Sequence, residues 1–274
     1  MRVATGIAEV RSILATRTRP HGFVPTMGAL HVGHLSLIAA ARARSATVVA
    51  SVYVNPLQFG PGEDFERYPR DEKSDRAQLE AAGVDVLFVP ELRTMRPAGF
   101  STFVDVGKIA TTYEGASRPE HFRGVATVVA KLLGIMQPDV LYLGQKDAQQ
   151  TAVVRRMVRD LDFPLELRIE PTVREPDGLA LSSRNIYLSA QDRVAAPTLH
   201  EALERLRDLL HAGVSKEAAI LQAKAVLSPR ARLDYLDVVD GEDFEPIEQL
   251  RPRAFVIGAA RFGDTRLLDN LWIE

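Results

Sequence analysis

The chain has 274 residues, 46% hydrophobic and 26% charged, with a formal net charge of -2 and no cysteine. That apolar fraction supports a packed core rather than disorder, and the length suits one large or two modest domains. The missing thiols exclude a disulfide framework, a thiolate zinc site, an iron-sulfur cluster and a cysteine nucleophile; 34 Lys plus Arg against 36 Asp plus Glu lack the basic excess of a protein that grips nucleic acid by its phosphates. Arg and Glu interrupt the opening segment every few residues, so it reads as neither signal peptide nor membrane span, and a cytoplasmic protein is expected.

In chain order, Ile7, Val10, Ile13 and Leu14 have helical spacing, and Pro20 closes that helix. Gly22 to Pro25 is a short apolar run, followed by a glycine-containing turn and a helix over 35 to 45. The run TVVASVYVN (47 to 55) is rich in β-branched residues and free of charge, as a parallel strand covered on both faces should be. A charged helix then ends at Gly83, and the strand VDVLFVP follows. The alternation continues with a helix over 127 to 137, a strand over 139 to 144, a helix over 149 to 162 and a strand over 165 to 173. Repeated β-α-β units of this kind predict an α/β protein with a doubly wound parallel sheet. From 190 onward the chain offers amphipathic helices at about 191 to 212 and 215 to 227, then three strand-like runs, the last two joined by Phe262-Gly263-Asp264 in a hairpin-like connection. This predicts a first domain over 1 to 173 and a small α+β domain over 174 to 274.

In open α/β sheets ligands sit beyond the carboxyl ends of the strands. The first such loop reads Pro25-Thr26-Met27-Gly28-Ala29-Leu30-His31-Val32-Gly33-His34. Its two imidazoles would share a helix's first turn, where free N–H groups and the positive dipole end favour anions, and Gly33 would let a flat ring lie against the backbone. A solvated or structural histidine pair is the plain alternative. The second loop, Gly144-Gln145-Lys146-Asp147-Ala148-Gln149-Gln150, offers close backbone approach, a point charge for a polyphosphate, an acid for a ribose or metal-bound water, and in Gln150 neutral hydrogen bonds for a small hydroxy acid. The third, Leu181-Ser182-Ser183-Arg184-Asn185, is either a phosphate clamp between domains or an N-cap cluster. The fourth, Asn55-Pro56-Leu57-Gln58-Phe59-Gly60, could bind a neutral or carboxylate substrate, or be ordinary turn chemistry. The coincidence of four polar loops on one sheet edge suggests ATP held by His, Lys, Ser and Arg beside a Gln-lined pocket.

PTMGALHVGH (25 to 34), SVYVNPLQFG (51 to 60), YPR with its following acids (68 to 75), EGASRPEHFRGVATVV (114 to 129), LGQKDAQQ (143 to 150) and LSSRNIYLS (181 to 189) together resemble the pantoate-beta-alanine ligase family, whose H-x-G-H element is shared with many nucleotidylyltransferases. The resemblance implies a Rossmann-like domain with the small carboxyl-terminal domain as a lid over the active site. It implies adenylation of (R)-pantoate by ATP with magnesium, then attack by beta-alanine to give pantothenate and AMP. Partners would be those small molecules and a second copy of the chain in a homodimer, with no nucleic acid, membrane or organic prosthetic group.

Carried onto this sequence, the resemblance gives the catalytic roles to His31, His34, Lys146 and Arg184. Met27 to His34, Gly144 to Asp147, Val173 and Leu181 to Arg184 would bind ATP. Gln58 would hold pantoate and beta-alanine and Gln150 pantoate, with Pro25 and Asn55 beside them. The chain departs from the family pattern at Glu120, where a small residue is common, and at Ser74, which removes a paired-carboxylate metal site and leaves Asp75 as the magnesium candidate. A same-class rival is a nucleotidylyltransferase acting on another small acid or a phosphate-bearing substrate, which would want a second basic cluster. A rival of another class is a nucleotide sensor without turnover, which would not need both His with Lys146 and the Ser-Arg loop.

Overall fold

The computed structural model describes residues 1–63 and 65–274. These form two compact units, one of Met1–Gly144 with Val153–Glu170, the other of Gln145–Ala152 with Pro171–Glu274. The second unit thus includes residues 145–152, which a boundary at 173 would leave in the first.

The first unit contains β1 (Arg2–Ala4), α1 (Ile7–Ala15), β2 (His21–Thr26), α2 (Val32–Arg44), β3 (Thr47–Val52), α3 (Glu72–Ala81), β4 (Val86–Phe88), the one-turn helices α4 (Leu92–Met95) and α5 (Glu114–Ser117), α6 (His121–Met136), β5 (Val140–Gly144), the later part of α7 (Ala148–Asp160) and β6 (Glu166–Glu170). The six strands pair in parallel in the order β1-β4-β3-β2-β5-β6. Phe23, Val24, Val48, Ala50 and Leu141 are fully buried, which is why the central strands read as unbroken apolar runs. On α2, Leu37, Ile38 and Ala41 form the i, i+1, i+4 stripe that packs on the sheet. From β2 the chain winds outward through β3 and β4 on one side and through β5 and β6 on the other. The reversal between β2 and β5 is the switch point of the sheet, and the loop after β2 leaves from it.

Three features differ from the sequence expectation. The three-residue edge strand β1 was not foreseen, being too short to show a period. β6 is an edge strand with no fully buried residue, blunted by Glu166, Arg168 and Glu170 rather than covered on both faces. α6 starts at His121, not at Thr127. Its first turns contain Gly124, a poor helix former, yet a side chain there would collide with the Leu57 carbonyl, so close packing against the 56–58 turn demands the glycine.

The second unit contains α8 (Ala190–Ala195), α9 (Thr198–His211), α10 (Lys216–Lys224) and the antiparallel sheet β7 (Ala231–Asp240), β8 (Ala254–Phe262) and β9 (Thr265–Ile273), ordered β7-β8-β9. The single helix expected from about 191 is broken at Pro197 into α8 and α9. Leu203, Leu206 and Leu209 of α9 and Ala219 and Ala223 of α10 pack against Leu236, Val238 and Val256 of the sheet. The β8–β9 hairpin forms as read, and Gly263 takes φ +58 at its turn. Among the described residues no helix is long and apolar enough to cross a membrane.

Candidate active site

The candidate residues fall into two sets, one in each unit. In the first unit, α2 is N-capped by His31, whose Nδ1 accepts the Gly33 N–H at 3.1 Å. His34, three residues on, accepts the His31 N–H at its own Nδ1, 3.4 Å away. The ring centroids lie 4.1 Å apart, with the ring planes tilted 41° to each other. A ring nitrogen that accepts a backbone N–H carries a lone pair, so in each neutral imidazole the proton sits on Nε2. The helix start thus holds two matched donors. A Cβ at Gly33 would lie 2.9 Å from Nδ1 and Cε1 of His31, so the glycine makes room for the capping imidazole.

The loop between β2 and His31 is held by Asp75 of α3, which is 3% exposed. Its Oδ2 accepts the Ala29 N–H at 3.0 Å and its Oδ1 the Leu30 N–H at 2.9 Å. Gly28, at φ +79, lets the carboxylate approach, since a Cβ there would stand 2.6 Å from Oδ2. Asp75 therefore has both oxygens engaged by the backbone, a poor disposition for a metal ligand. Among the described residues no three His, Asp or Glu side chains cluster as a metal site.

Gln58 ends the turn Pro56–Gln58 and is 8% exposed. Its Nε2 donates to Met27 Sδ at 2.7 Å, bringing the fourth loop to the first, and its Oε1 accepts from Asn55 at 3.2 Å. Asn55 is 1% exposed, caps the turn by accepting the Leu57 N–H, and donates to the Gly124 carbonyl at 3.1 Å. Its side chain is thus a brace rather than a surface. A second brace grips the Gln58 carbonyl: His121 Nδ1 donates to it at 2.7 Å and Arg118 Nη2 at 3.0 Å. Arg118 is paired in turn with Glu63, Nε to Oε1 at 2.9 Å, and lies 3.3 Å from His121 Nε2. Burial first and the Arg118 charge second push the His121 imidazole down to about 4, so it is neutral and accepts at Nε2. Burial pushes the Glu63 carboxyl up, but the Arg118 hydrogen bond and charge outweigh it and hold the group below its ordinary range. Glu120 and Arg123 pair with each other at 2.7 Å, and the Arg123 guanidinium lies 4.3 Å from the Phe103 ring centroid.

In the second unit, Gln145–Asp147 form one turn of 3-10 helix leading into α7, with Gln150 in the first turn of α7. Lys146 Nζ is 3.4 Å from Asp147 Oδ1. Leu181 N–H donates to the Val173 carbonyl at 3.0 Å, closing a turn ahead of the 3-10 helix Ser183–Tyr187. Ser182 caps that helix by accepting the Arg184 N–H at 3.3 Å, which is the N-cap geometry the sequence offered as one of two alternatives. Lys146, Ser182 and Arg184 line one cleft together with Leu179, Leu199 and Leu267. His200 and Asp269 stand on its wall. Arg174 makes a bidentate pair with Asp269, 2.6 and 2.9 Å, and His200 Nδ1 lies 3.3 Å from the same carboxylate. Burial pushes the Asp269 carboxyl up, but His200 and Arg174 together hold it below the usual carboxylate range. A polar Asp-Asn pair inside TRLLDNLWI was the available cue to this cluster.

A family model described as pantoate-beta-alanine ligase matches residues 2–272. The pantothenate synthetase of Roseiflexus sp. (strain RS-1) is 51% identical over 277 residues, covering all of both chains. That of Thermus thermophilus is 52% identical over 274 residues, 99% of each chain. The crystal structure of the Thermus thermophilus pantothenate synthetase matches with a TM-score of 0.94 at 51% identity over 99% of each chain. The structure of pantoate-beta-alanine ligase from Francisella tularensis, complexed with beta-gamma ATP and beta-alanine, matches with a TM-score of 0.83 at 35% identity, covering 99% of this chain and 97% of that one. With the H-x-G-H helix start, the buried Gln58 turn and the Lys146 and Ser182–Arg184 segments all inside a match of this length, the chain belongs to the pantoate-beta-alanine ligase family.

Proposed function

We propose that the chain forms the amide bond of pantothenate in two steps. A carboxylate oxygen of (R)-pantoate attacks the α-phosphorus of ATP, giving pantoyl adenylate and releasing pyrophosphate. The amine of beta-alanine then attacks the acyl carbon, loses a proton, and displaces AMP. Neither step needs a nucleophile from the protein, which suits a chain without cysteine. What the first step needs is preorganised donors where negative charge gathers on the phosphates.

The observation that carries this reading is the start of α2. Each imidazole has its Nδ1 engaged by a backbone N–H, so His31 and His34 are orientated to donate from Nε2. Lys146 and Arg184 supply mobile and planar positive charge respectively, with Ser182 and Ser183 beside Arg184. Met27 to Leu30, Gly144, Gln145, Asp147, Val173 and Leu181 are read as the backbone and polar lining of the nucleotide site. Gln58 is read as the pantoate and beta-alanine contact and Gln150 as a second pantoate contact. The same reading includes magnesium as companion of the ATP phosphates, a homodimer and a cytoplasmic location. Because both Asp75 oxygens hold backbone amides, no residue is assigned to the metal and no step is derived through it.

The test is pyrophosphate release from ATP that depends on (R)-pantoate, with AMP appearing only when beta-alanine is added. Equal turnover with hydroxy acids unrelated to pantoate would overturn the substrate assignment. Light scattering of the purified chain tests the dimer.

A further inference from the structure

In the second unit, β9 buries two adjacent polar residues, Asp269 at 5% and Asn270 at 2% exposure. Asn270 commits its whole carboxamide to the turn that carries Lys146. Its Nδ2 donates to the carbonyls of Gln145 at 3.0 Å and Lys146 at 2.9 Å, and its Oδ1 accepts from Gln145 Nε2 at 3.3 Å. Its main chain is tied elsewhere: the carbonyl accepts from Arg174 Nη2 at 3.1 Å and the N–H donates to Asp269 Oδ1 at 2.7 Å. Arg174, held by Asp269, also donates to the Gly178 carbonyl at 3.0 Å and so closes the turn just ahead of Ser182 and Arg184. One strand position therefore joins, through a continuous run of hydrogen bonds, the turn bearing Lys146 and the segment bearing Arg184. Both cations line the same cleft.

We propose that Asn270 is a positioning residue for adenylate formation, fixing the Lys146 turn on the strand that also fixes the Ser182–Arg184 segment, so that the two cations meet the polyphosphate at a preset spacing. This rests on the reading of Lys146 as an ATP-binding group. A short 3-10 turn has few bonds of its own, and removal of Asn270 leaves two part-buried carbonyls to find other partners, so the ammonium would lose its fixed origin without losing its charge.

The experiment uses the purified full chain as Asn270→Ala, Lys146→Ala and the double variant. ATP–pyrophosphate exchange with pantoate reads the first step, and AMP formation from supplied pantoyl adenylate and beta-alanine reads the second. Asn270→Ala is expected to lower exchange about 10- to 100-fold, the range set by one or two unsatisfied part-buried acceptors, and to leave the second step within about threefold. In the Lys146→Ala background the same change should add less than about threefold, because it acts through that lysine. Equal losses in both steps, or penalties that multiply in the double variant, would overturn the proposal. Should Asn270→Ala fail to fold, Asn270→Ser, which keeps one donor, carries the same two comparisons. A harmless Lys146→Ala would instead sink the reading of Lys146 itself, whereas a damaging Lys146→Ala beside a harmless Asn270→Ala would sink only this inference.

Discussion

The two units hold their functional turns by different chemistry. In the first, ionisable side chains do it: the Asp75 carboxylate takes the amides of Ala29 and Leu30, and the Arg118–His121 pair takes the carbonyl of Gln58. In the second, a neutral carboxamide, Asn270, holds the Lys146 turn. Charge-assisted bonds are stronger but depend on protonation, whereas an amide clamp is indifferent to pH. The unit that presents two imidazole donors is thus braced partly by the charges of Asp75 and Arg118, and the unit that presents Lys146 and Arg184 is braced partly by a neutral group.

The largest expected effect is on the donors themselves. Lys146→Ala or His34→Ala should lower adenylate formation about 10²- to 10³-fold with the fold intact, by analogy with removal of an oxyanion donor. Near-normal pyrophosphate exchange in a folded variant would end the assignment. Next comes the brace on the first loop. Asp75→Asn turns one acceptor towards the amides into a donor and leaves a part-buried N–H unsatisfied, worth about 1 to 3 kcal/mol, so exchange should fall roughly 5- to 150-fold. An unchanged rate would mean the loop does not need its carboxylate.

The pH comparison separates the units more finely. His121 is pushed from 6.5 to about 4 on folding. Between those values the unfolded chain binds a proton that the folded chain refuses, so its contribution is fully present above pH 6.5 and is lost as pH falls towards 4, by roughly 3 kcal/mol at most. Urea unfolding at about pH 7, 5.5 and 4.5, which bracket that window, should show the parent chain losing more on acidification than His121→Asn, while Asn270→Ser shows the parental slope. Identical slopes for the parent and His121→Asn would refute this. The smallest effect is expected from Gly33→Ala. The new Cβ displaces the His31 ring, lowering exchange about tenfold, while thermal stability holds or rises because alanine favours the helix by about 0.5 to 1 kcal/mol. A full loss of folding would show that the ring cannot move.

Much of this arrangement was legible in advance and part was not, for identifiable reasons. The central strands announce themselves because burial on both faces leaves them without Asp, Glu, Lys or Arg, and the loops after β2 and β5 follow from the strand ends. Hidden from the sequence were the braces. Asp75 acts 45 and 46 positions from its amides, His121 63 positions from the Gln58 carbonyl, and Asn270 some 125 from the Lys146 turn. No local period records such pairings. Pro197 was visible inside a helix that the amphipathic pattern carried past it, and the pattern was wrong there. Gly124 misled in the opposite sense, weakening a helix start that tertiary packing requires.

The capping geometry of α2 bears on ionic strength. On the proposed reading, imidazoles that donate from Nε2 while Nδ1 accepts a backbone N–H would hold a phosphate without a full charge that dissolved ions could screen, whereas Lys146 and Arg184 would be open to screening. Raising salt should therefore erode the lysine and arginine share of ATP binding well before the histidine share, leaving a residual affinity that tracks the tautomers rather than the charges.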